Sequence, residues 1–177
     1  MKTQLNTLAL ILFSLFVISC SGDDDSGSGN NDAFGTIQLS GADTASVGNS
    51  LTVGNIDSDG LASTGTSSAV VLLDEDTTIE NGELIPTNFV NAFVIVASQF
   101  DADDNADVDK AISMTILKNG EEFRYVCSTP PTSAANDTDC GTGFSVDKIA
   151  KEVVFDNTTV INVESGTILT MNGTINY

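Results

Sequence analysis

The chain has 177 residues, with 25 Asp and Glu against 6 Lys and Arg, no His, no Trp and 3 Cys, giving a formal net charge of -19. Without an imidazole, Ser-His-Asp and Cys-His catalytic arrangements and any His-containing zinc site are excluded. The charge repels phosphate backbones and the basic residues beyond Lys2 are scattered, so nucleic acid is not an expected partner.

At the N-terminus, Lys2 precedes an apolar run from Leu8 to Ile18 broken only by Ser14, and Ser19 then leads to Cys20. That is the layout of a secretory signal. The run is about half the roughly 20 residues a bilayer-spanning helix needs, so a retained transmembrane anchor is not expected. The tetrapeptide Val17-Ile18-Ser19-Cys20 resembles the lipobox of bacterial lipoproteins. The resemblance implies removal of residues 1–19 and acylation of Cys20, whose two or three lipid chains, at about 0.8 kcal/mol per buried methylene, would hold the protein on a membrane. Next, Ser21-Gly22-Asp23-Asp24-Asp25 is similar to the acidic export signal of Bacteroidota-type lipoproteins, with Gly22 as a departure from the commonest pattern. It implies a lipid-anchored place in the outer membrane, at the cell surface. Residues 20–33 hold nothing sizeable to bury and read as an acidic Ser/Gly tether with a root-mean-square span of about 20 Å.

From 34 to 177 the sequence reads as one all-β domain, a single β-sandwich or small β-barrel of about 8–10 mostly antiparallel strands. Short runs rich in Val, Ile, Thr and Phe alternate with Gly, Asn, Asp and Ser, and no fixed-period repeat is present. The expected strands are 34–39, 50–54, 69–73, 92–98, 111–118, 121–128, 153–155, 159–163 and 167–177. Only 145–153 carries a weak helical alternative.

Asn119-Gly120 between two apolar runs signals a type I′ hairpin, because both residues tolerate positive φ. The turn sets Lys118 opposite Glu121, Ile116 opposite Phe123, Met114 opposite Tyr125 and Ile112 opposite Cys127, all on one face. Leu117 with Glu122, Thr115 with Arg124 and Ser113 with Val126 form the other, mostly polar face. A one-residue slip would set apolar against polar side chains, so turn and burial pattern agree. A second hairpin at Ser165-Gly166 would set Val163 against Ile168 and Ile161 against Thr170.

With Cys20 assigned to lipid, Cys127 and Cys140 remain as an even pair in an exported chain, and a disulfide is expected. Pro130 and Pro131 and the lack of apolar periodicity make the intervening segment an exposed loop.

Two acidic segments are candidate calcium loops. Asn55, Asp57 and Asp59, followed by Gly60, match the opening of a calcium loop, although Thr66 stands where an EF-hand needs Glu. Asp101, Asp103, Asn105 and Asp107 lie in a nine-residue stretch whose repulsion a hard cation or water must relieve. Solvated loops that block edge pairing are the plainer reading of both. Asp43-Thr44-Ala45 and Asp76-Thr77-Thr78 resemble the O-glycosylation acceptor pattern of Bacteroidota, which makes Thr44 and Thr77 candidate acceptors.

Functionally, the chain reads as a non-enzymatic, outer-membrane lipoprotein that binds an unidentified protein or glycan or serves in a cell-envelope assembly. A lipocalin-like carrier of a small apolar ligand is the alternative and requires a hollow barrel. A carboxylate-based hydrolase is the third reading and requires two acids roughly 5–10 Å apart in a cleft.

Overall fold

The computed structural model describes residues 33–58, 68–81, 83–102, 104 and 106–177, so the expected signal segment, Cys20 and the expected tether up to residue 32 lie outside the described residues. Strands β1 (Gly35–Gly41), β2 (Ser50–Val53), β3 (Asn55–Asp57), β4 (Ala69–Leu73), β7 (Ala92–Gln99), β8 (Lys110–Lys118), β9 (Glu121–Thr129), β11 (Glu152–Asn162) and β12 (Ile168–Asn176) form one antiparallel sheet. Its order is β2-β1-β12-β11-β9-β8-β7-β4-β3, with β10 (Ser145–Asp147) attached to β11. A separate hairpin joins β5 (Thr77–Glu80) to β6 (Glu83–Pro86).

The two edges of this sheet belong to one run of chain. Ser50–Val53 pairs with β1, Asn55–Asp57 pairs with β4, and Gly54 alone separates them, its N–H donating to the Leu73 carbonyl at 2.9 Å. A strand that changes partner halfway draws the sheet nearly shut as a barrel-like meander, which decides between the sandwich and the barrel. Gly54 is required for steric reasons: a Cβ there would lie 2.6 Å from the Glu75 Cα.

The wall is weakest between β9 and β11, which share only the pairs Ile161 with Val126 and Asn162 with Tyr125. Below them the two strands diverge, and the segment following the disulfide loop is wedged in. Ser128 N–H donates to Thr138 O, Thr159 N–H to Cys140 O and Asp156 N–H to Gly143 O. Backbone groups that would otherwise be orphaned are thereby paired. Cys127 on β9 is bonded to Cys140 on the wedge, with Cα atoms 5.0 Å apart.

Inside, a single apolar cluster fills the barrel. It includes Ile37, Leu72, Ile95, Ile112, Met114, Tyr125, Phe144, Phe155, Leu169 and Met171, all almost fully buried. Alternation along each strand puts these side chains inward. One end is covered by α1 (Thr44–Val47), which lies against β1 and β8 and adds Val47 to the cluster. Strand β4 is buried on both faces, because Val71 and Leu73 point outward under the β5–β6 hairpin and pack with Ile79, Leu84, Val94 and Val96. That double cover explains its uninterrupted apolar sequence.

The β8–β9 hairpin has the register expected from Asn119-Gly120, from Lys118 opposite Glu121 to Ile112 opposite Cys127, and both turn residues have positive φ. The last hairpin differs. Ile161 faces Ile168 rather than Thr170, because the Asn162 side chain accepts the N–H groups of Glu164 and Ser165 and widens the turn. The shift is two residues, so the faces are preserved. The separate strands 153–155 and 159–163 are one strand with a bulge, since the register shifts between Phe155 and Thr158 and Asn157 takes φ 49°. The weak helical reading of 145–153 is incorrect: β10, a turn with Lys151 at φ 57° and the start of β11 occupy it. Strands β3, β5, β6 and β10 and the short helix α1 were not anticipated.

Candidate functional site

An apolar cluster occupies the interior, and polar side chains gather in clefts at the surface. Two clefts there bring polar side chains together.

The first has a volume of about 470 Å³ and lies between the turn after β4 and the chain entering β1, with Ala33, Asp74, Asp76, Asn88, Asn91 and Lys118 among its lining residues. Its polar groups hold the walls together. Asp74 Oδ1 accepts the Asp76 N–H at 2.8 Å, and Asp74 Oδ2 accepts the Phe93 N–H at 2.7 Å and the Thr77 hydroxyl at 3.1 Å. Asp76 Oδ2 accepts from Asn88 Nδ2, while Asn88 Oδ1 accepts the N–H groups of Val90 and Asn91. Asn55 Nδ2 donates to the carbonyls of Asp74, Glu75 and Thr77. Such Asx-type bonds let acidic and amide side chains replace regular backbone pairing in a turn. Both oxygens of Asp74 are thus occupied by donors of the fold, an arrangement that holds the turn.

The second cleft, of about 690 Å³, is lined by Ser68, Gln99, Asp101, Asp147, Ile149 and Glu152 among others. Gln99 Oε1 accepts the Val146 N–H and pins β10 to β7. Asp147 Oδ1 accepts the N–H groups of Ile149 and Ala150, and this turn presents Ile149 with 99% of its surface exposed. On the adjoining acidic loop, Asp104 Oδ2 accepts the Ser68 hydroxyl at 2.7 Å and the Asp101 N–H at 2.6 Å. These two bonds, the Ser68 one foremost, hold the Asp104 carboxyl below its usual range.

The disulfide loop is fixed in the same manner. Asp139 Oδ1 accepts the Gly141 N–H at 2.8 Å and the Thr129 hydroxyl at 2.7 Å, which together lower its pKa. Lys110 Nζ donates to the Phe144 carbonyl and ties β8 to the wedge.

The expected calcium residues are only partly among the described residues. Asn55 and Asp57 lie in the extended strand β3, paired with Leu73 and Val71, so this part of the segment belongs to the barrel wall. Asp59 lies outside the described residues. In the second segment Asp101 and Asp107 are exposed, and Asp103 and Asn105 lie outside the described residues. Among the described residues, no group of three or more acidic or sulfur side chains is arranged to hold a metal. Thr44 opens α1 and its hydroxyl donates to the Gly41 carbonyl. Thr77 is 1% exposed, with its hydroxyl bonded to Asp74.

The turn-forming residues Asp74, Asn88, Asp147 and Asn162 were not singled out from sequence. Each is an Asx residue within three positions of a strand end, the one local signal that could have marked them. No family model, curated protein or solved structure matches the chain.

Proposed function

We propose that this chain is a non-enzymatic, lipid-anchored module of the outer membrane that recognises a protein or glycan partner through its loop surfaces. The observation that carries the reading is the packed interior. A barrel whose inward side chains form one continuous apolar cluster works as a rigid pedestal, so recognition falls to the loops it holds. The Asx turns and the disulfide supply the stiffness that a preorganised surface requires. Anchoring rests on Val17-Ile18-Ser19-Cys20 and display on the acids at 23–25.

The test is the N-terminal peptide of protein purified from its native membrane. An N-terminus at Cys20 carrying acyl mass, with the protein entering the detergent-rich phase and Cys20→Ala leaving it aqueous, is the expected result. An intact leader or an unmodified Cys20 overturns the anchor.

A second reading, the lipocalin-like carrier, has one feature in its favour: the strands follow one another around a nearly closed wall. The full interior weighs against it. Saturable uptake of an apolar fluorophore, lost on enlarging an inward side chain such as Ala97→Phe, would move the assignment to that class.

A further inference from the structure

The first cleft places two features side by side. The chain enters the domain at its wall, where Ala33 is a lining residue, and Asn88 and Asn91 line it too, bracketing Phe89 and Val90. Phe89 is 71% exposed and Val90 52% exposed, although most large apolar side chains of the domain are buried. Their exposure is built in. Asn88 Oδ1 holds the Val90 and Asn91 N–H groups at 3.0 and 2.9 Å, and the Val90 carbonyl accepts the Gly120 N–H at 2.9 Å. The backbone therefore keeps Phe89 and Val90 on a hydrogen-bonded tip that cannot fold inward without losing these bonds. Phe34, next to the entry point, is also exposed.

We infer that the Phe89-Val90 tip is a second, non-covalent membrane contact, which dips into the headgroup region of a zwitterionic bilayer beside the lipid anchor. The inference rests on the anchored reading above. Only residues 21–32 separate Cys20 from Ala33, so at about 3.5 Å per residue the cleft stays within about 45 Å of the acylated sulfur. At that range the encounter of tip with bilayer is effectively intramolecular, and a small apolar contact suffices to bias the orientation. The charge of the neighbourhood selects the lipid. Asp74, Glu75 and Asp76 line the same cleft with Lys118 as the one cation among its lining residues, so an anionic surface would be repelled. Docked this way, the domain holds its first cleft toward the membrane and leaves the Ile149 turn, which lines the other cleft, free for a partner.

The chain has no Trp, so Phe89→Trp supplies a single reporter in the full-length, acylated protein. In phosphatidylcholine vesicles with brominated chains, emission from the introduced indole is expected to shift to the blue and to lose at least half its intensity, and adding Val90→Asp should restore most of it. Vesicles with a large anionic fraction should quench it less. Protein that floats with vesicles while the indole stays unquenched overturns the tip and leaves the anchor standing. Protein that neither carries acyl mass nor floats overturns both. A blue shift without lipid, accompanied by dimerisation in sedimentation, would assign the tip to a second copy of the chain and overturn the inference as well.

Discussion

Tyr125 joins the barrel interior to its cap. Its ring is fully buried, and its hydroxyl donates to Asp43 Oδ2 at 2.9 Å, just ahead of α1, with Asn162 Nδ2 at the outer limit of hydrogen bonding to the same oxygen. Burial foremost pushes the phenol above its ordinary value, the Asp43 charge adds to this, and Asn162 opposes it. Tyr177 is raised too, by burial and by Asp147. For a group raised in the folded state, the stability it contributes is complete below the unfolded pKa near 10 and is lost as pH climbs through the folded value. Thermal unfolding followed from pH 8 to 12 should therefore show a melting temperature that falls above pH 10, with the tyrosinate absorbance of Tyr125 appearing as the protein unfolds. Tyr125→Phe should lower stability by about 1–2 kcal/mol at neutral pH and flatten, without abolishing, the alkaline fall. The inward position of Tyr125 was legible from its register opposite Met114. Its partner Asp43 was not, since the two are far apart in sequence and no local pattern links them.

Elements succeed or fail in the sequence according to how local their determinants are. The β8–β9 hairpin is specified within its own residues: two positive-φ positions fix the turn, and alternation fixes the faces. The β11–β12 turn misled by two residues because a side chain, Asn162, took over the pairing of the backbone. The wedge after Cys127 is further from view, as its backbone partners Ser128, Asp156 and Thr159 lie on two different strands. The disulfide fixes it there. Closing a loop of this length contributes about 3 kcal/mol in the chain-entropy model, so urea unfolding with and without reductant should differ by about that amount. Reduction should also raise amide exchange at Ser128 and Thr159 more than at Met114, where β8 and β9 remain paired. Equal effects at all three sites would show that the bond stabilises the whole domain evenly rather than the wedge.

For the molecule as a whole, closure depends on Gly54. The residue does not need unusual dihedral freedom. It needs the absence of a side chain, because the Glu75 backbone occupies the space where a Cβ would go. Gly54→Ala should destabilise by about 1–3 kcal/mol, measured as a lowered urea midpoint, with exchange rising first at β3 and β4. Small loss at Gly48→Ala, where nothing approaches the built Cβ but φ is 93°, would separate backbone strain from crowding. What the sequence determined unaided was the all-β class, the inward faces of the main strands, one hairpin register and the pairing of Cys127 with Cys140. All of these follow from period-two patterning, turn chemistry or the count of cysteines, each of which acts over a few residues or needs no geometry. The tertiary structure alone decided that 50–57 serves both sheet edges, that a wedge fills the wall, and that Asx turns build the clefts. Identical alternating strands fit a sandwich or a barrel equally well. The choice between them lies in the accumulated twist and stagger of all the strands together, which no single segment encodes.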